Sequence, residues 1–186
     1  METVLKSFGR LRWLICCLVV FLLLPGCAGD DWRTASRESA GIAPDPVATG
    51  DAVLQVYAAR AWGWRGWFGV HTWISAKPSR ASYYTVYEVI GWRANRGLPV
   101  VRMERDVPDR YWYGEKPRLL ADYRGGDEVD RLIEAVEEAA KSYPWPMEYR
   151  VFPGPNSNTF TAWIAKEVPE LRLDLPFSAI GRGYVN

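Results

Sequence analysis

The sequence predicts an α+β domain, a small antiparallel sheet packed against two or three helices. Segments dense in Val, Ile, Tyr, Trp and Thr come first, bounded by Gly, Pro or Ser. A segment with apolar residues at helical spacing follows them. Strands first and helices after is the order of an α+β fold rather than of alternating βα units. The three cysteines, Cys16, Cys17 and Cys27, all lie before that domain, so neither a disulfide nor a free thiol enters it and stability must come from the core.

Residues 1–26 have the parts of an export signal. Lys6, Arg10 and Arg12 make a basic start, 14–24 is apolar, and Leu24-Pro25-Gly26-Cys27 ends the run. A spanning helix needs roughly 20 apolar residues, and Pro25 and Gly26 interrupt this one well short of that. The arrangement resembles a bacterial lipoprotein signal, with Pro25 where Ala or Ser is usual. It implies cleavage before Cys27 and lipidation of its sulfur, as by palmitate, so the membrane is an expected partner through that lipid. Ala28 rather than Asp after the cysteine implies the periplasmic face of the outer membrane over the inner membrane. An uncleaved amphipathic anchor and an ordinary secreted protein are the alternatives.

Residues 27–50 are rich in Asp, Ser, Gly and Pro without apolar periodicity and are expected to form a linker from the lipid to the domain. Trp32, Arg33 and Arg37 are unusual in a spacer and suggest partial docking. Residues 51–186 then form one globular domain. Strands are predicted over 52–60, 67–76, 83–92 and, shorter, 100–105, with Lys77-Pro78-Ser79 turning the second into the third. Over 127–142, Val129, Leu132, Ile133, Val136 and Ala140 fall on one helical stripe, with Asp127 placed to cap it and Pro144 beyond its end. A short strand at 149–152, a break at 153–157 and a helix over 159–168 stopped by Pro169 complete the chain.

The full chain carries 23 basic and 22 acidic residues, and 27–186 carries 20 and 21 once Lys6, Arg10, Arg12 and Glu2 are removed. Such balance does not suit nucleic acid. One histidine and no domain cysteine make structural zinc a poor fit, and no metal or cofactor is expected.

The densest polar chemistry is Asn156-Ser157-Asn158-Thr159-Phe160, where a break enters a helix. A helix start presents unpaired N–H groups with partial positive charge, suited to an oxyanion. Ser157 is the candidate nucleophile, and Asn156, Asn158 and Thr159 are candidate substrate contacts; Ser157 or Asn158 acting only as a cap is the structural alternative. His71, on a strand, is the candidate base. Folding about the Pro78 turn brings Glu88 near the position opposite it, where a carboxylate would hold the imidazole tautomer. The alternative makes His71 a hydrogen-bonded core residue that, with Asn158, ties strand to helix. Trp62, Trp64, Trp67 and Trp73 crowd around Gly63 and Gly66 and suit glycan stacking, a lipid surface or simple core packing, Trp73 being a further substrate-contact candidate. The 106–113 stretch suits a cleft wall or a surface loop.

This order, a strand histidine, a polar residue on the next strand, then a helix opening Asn156-Ser157-Asn158-Thr159-Phe160, resembles the circularly permuted papain-like (NlpC-type) peptidases and acyltransferases. Those open the helix with an Asn-Cys-Asn type motif. The resemblance implies a hydrolase or acyltransferase with serine in place of cysteine, or a degenerate, binding-only descendant. Trp32-Arg33-Thr34-Ala35-Ser36-Arg37, Val70-His71-Thr72-Trp73-Ile74, Asn156 to Phe160 and Leu171-Arg172-Leu173-Asp174-Leu175-Pro176 also resemble a bacterial family catalogued as a domain of unknown function, number 3750. Two functions are therefore expected: a lipid-anchored cell-envelope protein whose cleft binds or hydrolyses an amide or ester of the cell wall or a lipid, and a non-catalytic structural or assembly lipoprotein.

Overall fold

Five strands pair antiparallel in the order β4-β3-β2-β1-β5. A computed structural model describes residues 31–185; the signal expected over 1–26 and Cys27 lie outside them. The strands are β1 (Ala52–Arg60), β2 (Val70–Lys77), β3 (Thr85–Val89), β4 (Val101–Arg105) and β5 (Arg118–Gly125). β1 and β2 are buried along almost their whole length, as central strands covered on both faces must be. Three helices join them: a single turn α1 (Gly91–Ala94), α2 (Asp127–Lys141) and α3 (Ser157–Glu167). The α+β class, the first strand and α2 stand as the sequence predicts.

Period-two alternation gives the sheet two distinct faces. Leu54, Val56, Ile74, Tyr87 and Val89 pack with Val129, Ile133 and Val136 of α2 and Phe160 and Ile164 of α3 in the main core. The other face carries Tyr57, Trp73, Val86 and Ile90 beneath Trp112 and Tyr113 of the following loop. Apolar residues at three- and four-residue spacing turn one side of α2 inward, while Asp127, Glu128 and Asp130 in its first turn and Lys141 in its last suit the helix dipole. Asp127 is the first helical residue and Gly126 occupies the cap position. Asp130 accepts from the Ser79 backbone N–H at 2.9 Å and its hydroxyl at 2.5 Å, fastening α2 to the β2–β3 turn.

Several expected boundaries change. The segment 63–67 forms a 3-10 turn before β2, because Gly63 takes a positive φ of 66° that starts a turn rather than a strand. Residues 149–152 form no strand but run as irregular chain into the peptide bonds before Pro153 and Pro155, both cis. The 118–125 segment is a full strand beside β1, shifted in register between Val56 and Tyr57.

The stretch expected as a linker is docked over 36–43. Asp109, wholly buried, accepts from the Ser39 hydroxyl at 2.8 Å and from the backbone N–H groups of Ile42 at 2.5 Å and Ala43 at 3.1 Å. The Ala40 N–H donates to the Asp109 carbonyl and the Tyr111 N–H to that of Glu38. Asp109→Ala removes the acceptor of three donors at once. It is expected to lower stability by about 1–3 kcal/mol and to speed hydrogen exchange at Ile42 and Ala43; unchanged protection of both amides would show that other contacts hold this segment.

Candidate functional site

The β2–β3 ladder ends at the pair Ile74↔Tyr87, so the first residues of β2 have no strand beside them on that edge. Backbone groups there still need partners. The Val70 N–H donates to the Ser178 carbonyl at 3.0 Å, and the Asn158 side-chain amide donates to the Val70 carbonyl at 3.0 Å. The start of α3 thus takes the place of a strand. Thr72 strengthens the junction, its hydroxyl donating to Asn158 Oδ1 at 3.1 Å and lying 2.9 Å from the Thr161 hydroxyl.

Asn156 caps α3. Its Oδ1 accepts from the N–H groups of Asn158 and Thr159, and the Thr159 hydroxyl accepts from the Asn156 N–H, completing a capping box. Its Nδ2 donates to Val151 and Ile180 carbonyls at 3.0 and 3.1 Å. Gly181 is required beside it: φ is +98°, and an added Cβ would lie 2.7 Å from Asn156 Oδ1. The Phe160 N–H bonds to the Asn156 carbonyl. Of the N–H groups opening the helix, that of Ser157 alone is without a protein acceptor among the described residues. The Ser157 hydroxyl also makes no protein hydrogen bond among the described residues, and Ser157 borders a cavity of about 600 Å³ with Asn156, Asn158 and His71.

His71 enters that cavity from the other sheet face. Continuing the β2–β3 register would set Trp73 opposite Glu88 and His71 opposite Ile90, two residues from the pairing the sequence suggested. All four side chains share one face, and the imidazole reaches Glu88 diagonally, Nε2 lying 3.2 Å from Oε2. Glu88 is wholly buried, and its Oε1 accepts from Arg102 Nη1 and Arg110 Nη2, each at 2.6 Å. Burial pushes this carboxyl up, but the His71 hydrogen bond and the charges of Arg110 and Arg102 outweigh it and hold the group at about 2. Being ionised, Glu88 can only accept, so Nε2 carries the imidazole proton and Nδ1 is the free base. Burial is the largest influence on His71 and pushes its pKa below the ordinary value; Glu88 opposes this, and Arg110 adds to it. Trp112 lies flat on the ring, 3.6 Å between centroids and 8° from parallel.

Trp73 is buried away from this cavity, stacked on Tyr57 and donating through Nε1 to the Pro108 carbonyl at 2.8 Å. Thr159 faces Gly181 instead, donating to its carbonyl at 2.8 Å. The side-chain amide groups of Asn156 and Asn158 are committed to internal bonds. Sequence reasoning missed Arg102 and Trp112, and named Arg110 only within the 106–113 stretch as suited to a cleft wall or a surface loop. Among the described residues no group of three or more His, Cys, Asp or Glu side chains is placed to hold a metal ion, and no helix is long and apolar enough to cross a membrane.

Residues 51–184 match the family model described as a protein of unknown function, DUF3750. The chain belongs to this family. No curated protein and no solved structure matches it. The matched DUF3750 region contains every residue placed around the cavity above.

His71 is the chain's sole histidine, so its titration by NMR is unambiguous. Its apparent pKa is expected below roughly 6.5, with Nε2 protonated. Glu88→Gln removes the carboxylate that favours the imidazolium and is expected to lower it further, while costing about 3–5 kcal/mol by taking the close ion-pair partner from the buried Arg110. The sign for stability follows: the unfolded chain binds the histidine proton first, so stability falls as pH drops below roughly 6.5, and falls again from about 4.5 toward 2 as Glu88 is protonated. An apparent pKa above the free-histidine value would overturn this assignment.

Proposed function

We propose that this is a lipid-anchored cell-envelope protein whose cleft binds and hydrolyses an ester or amide of the cell wall or of a lipid. One observation carries the proposal: Ser157, at the start of a capped helix, and His71, oriented by a buried carboxylate, border the same cavity. In this reading Ser157 Oγ attacks the substrate carbonyl while its proton passes to His71 Nδ1. The Ser157 N–H, unclaimed by the helix cap, donates to the oxyanion. The imidazolium then protonates the leaving group, and water or an acceptor alcohol or amine releases the acyl group by the reverse path. A permuted papain-like arrangement with serine for cysteine is the fold reading that this order of parts supports.

The cavity's rim favours a substrate with an apolar arm. Trp64, Phe68 and Phe152 line it and are 70, 63 and 77% exposed, a density of bare aromatic surface suited to acyl chains or a bilayer interface. Lipidation at Cys27 and placement on the periplasmic face of the outer membrane agree with such a substrate. The non-catalytic envelope role keeps one specific support, the complete commitment of the Asn156 and Asn158 amides to internal bonds.

Hydrolysis of a p-nitrophenyl acyl ester by the full chain separates the two. Ser157→Ala and His71→Ala are each expected to reduce kcat/KM at least roughly 100-fold. Turnover indifferent to both alanine variants would remove the hydrolytic role. Independently, labelled palmitate is expected to enter the wild-type chain in a bacterial host and not Cys27→Ser; equal labelling of both would remove the lipid anchor at that residue.

A further inference from the structure

Beside the candidate cleft lies a second cavity, of about 380 Å³, on the sheet face that carries Glu88. Ile90, Trp92 and Trp112 border both. Its lining is unlike the first: Arg37, Arg93, Arg96, Arg102 and Arg110 meet there against only Glu88 and Asp106. Arg102 spends its charge on Glu88, Glu104 and Asp106, at 2.6, 3.0 and 2.7 Å, and Arg93 approaches Glu104 at 3.9 Å. Arg37 lies over the Tyr113 ring, 4.2 Å from its centroid, and neither it nor Arg96 has an ion-pair partner among the described residues.

Arg110 is the sharper observation. It is 5% exposed, yet its Nη1 has no hydrogen-bond partner and stands 3.6 Å from Asp106 Oδ2, beyond bonding distance. A buried guanidinium is normally satisfied along both forks. Here one fork holds Glu88 while the other, near Asp106, has no hydrogen bond, in the lining of a cavity with two arginines that have no ion-pair partner among the described residues.

We propose that this cavity binds a phosphate group. The available donors come from separate elements: Arg37 from the docked N-terminal segment, Arg96 from just after α1, and the unbonded Nη1 of Arg110 from the loop after β4. Donors converging from three sides match a tetrahedral group with three free oxygens better than a planar carboxylate with two. Because both cavities share the Trp92 and Trp112 wall, the ligand is a phosphate-bearing ester or amide with its carbonyl in the first cavity and its phosphate in the second. That last step rests on the hydrolytic reading of the first cavity; the phosphate site itself does not.

Titration calorimetry of the full chain in non-ionic detergent, with inorganic phosphate against chloride at equal ionic strength, tests the site. One saturable phosphate site is expected, weakened about tenfold or more in Arg37→Ala and in Arg96→Ala. Both side chains are exposed and outside the buried cluster, so these variants are expected to melt as wild type does. Heats indistinguishable from chloride, or affinity unchanged in both variants, would overturn the proposal. Competition by short-chain phosphatidylglycerol would place the phosphate on a lipid headgroup, and competition by glycerol phosphate alone would place it on a soluble monoester; each supports the site. Ser157→Ala keeps phosphate affinity on this proposal. Intact phosphate binding beside an esterase indifferent to Ser157→Ala would remove only the hydrolytic reading, whereas absent phosphate binding beside a Ser157-dependent esterase would remove only the phosphate site.

Discussion

A single buried carboxylate organises one face of this domain. Glu88 sits wholly buried on a strand, and an ion so placed is tolerable only if its charge and lone pairs are met. It draws donors from three places: His71 on β2, Arg102 on β4 and Arg110 on the loop beyond β4. Once Arg110 is fixed, Asp109 and Trp112 on either side of it in the loop are fixed too. Asp109 then holds the docked N-terminal segment, and Trp112 covers the imidazole. With His71 neutral, two arginines face Glu88 and Asp106, and the cluster is close to electroneutral. A proton added to His71 would unbalance it, in line with the lowered imidazole pKa.

The other face depends on a vacancy in pairing. β3 leaves β2 after a few residues, and the exposed edge is satisfied by Asn158 and Ser178 rather than by a sixth strand. Polar side chains that look like substrate contacts in the sequence are therefore spent as backbone surrogates. Their positional effect is large nonetheless. Because Asn158 is bonded to the strand residue preceding His71, the neighbouring Ser157 is held at the same end of β2 as the imidazole, although their side chains approach from opposite sheet faces.

Much of this was legible from local pattern. Val and aromatic density marked 52–60, and the stripe from Val129 to Ala140 marked α2, because each element buries one periodic face. The fifth strand was not legible: Arg118–Gly125 alternates exposed and half-buried positions at a sheet edge and carries Arg, Asp and Gly that read as loop. Candidate site residues were legible where a residue type is rare, as with the lone His71, or where polar residues cluster at a helix start. The pairing of Arg102 and Arg110 was not, since nothing local distinguishes an arginine that pairs with a buried acid from one on a solvated surface. Their role exists only once β3, β4 and the loop after it are brought together.

The ionic setting of His71 also bears on which nucleophile it suits. A thiol site works as a thiolate and imidazolium pair, which calls for a histidine more basic than usual. A hydroxyl stays protonated until the transition state and needs a neutral imidazole waiting to receive its proton. Burial and Arg110 push His71 toward the neutral form, while Glu88 fixes the proton on Nε2 and leaves Nδ1 open. The residue at the head of α3 is a serine. The two facts concern different elements of the fold, and each is what the other would require of a serine-based site.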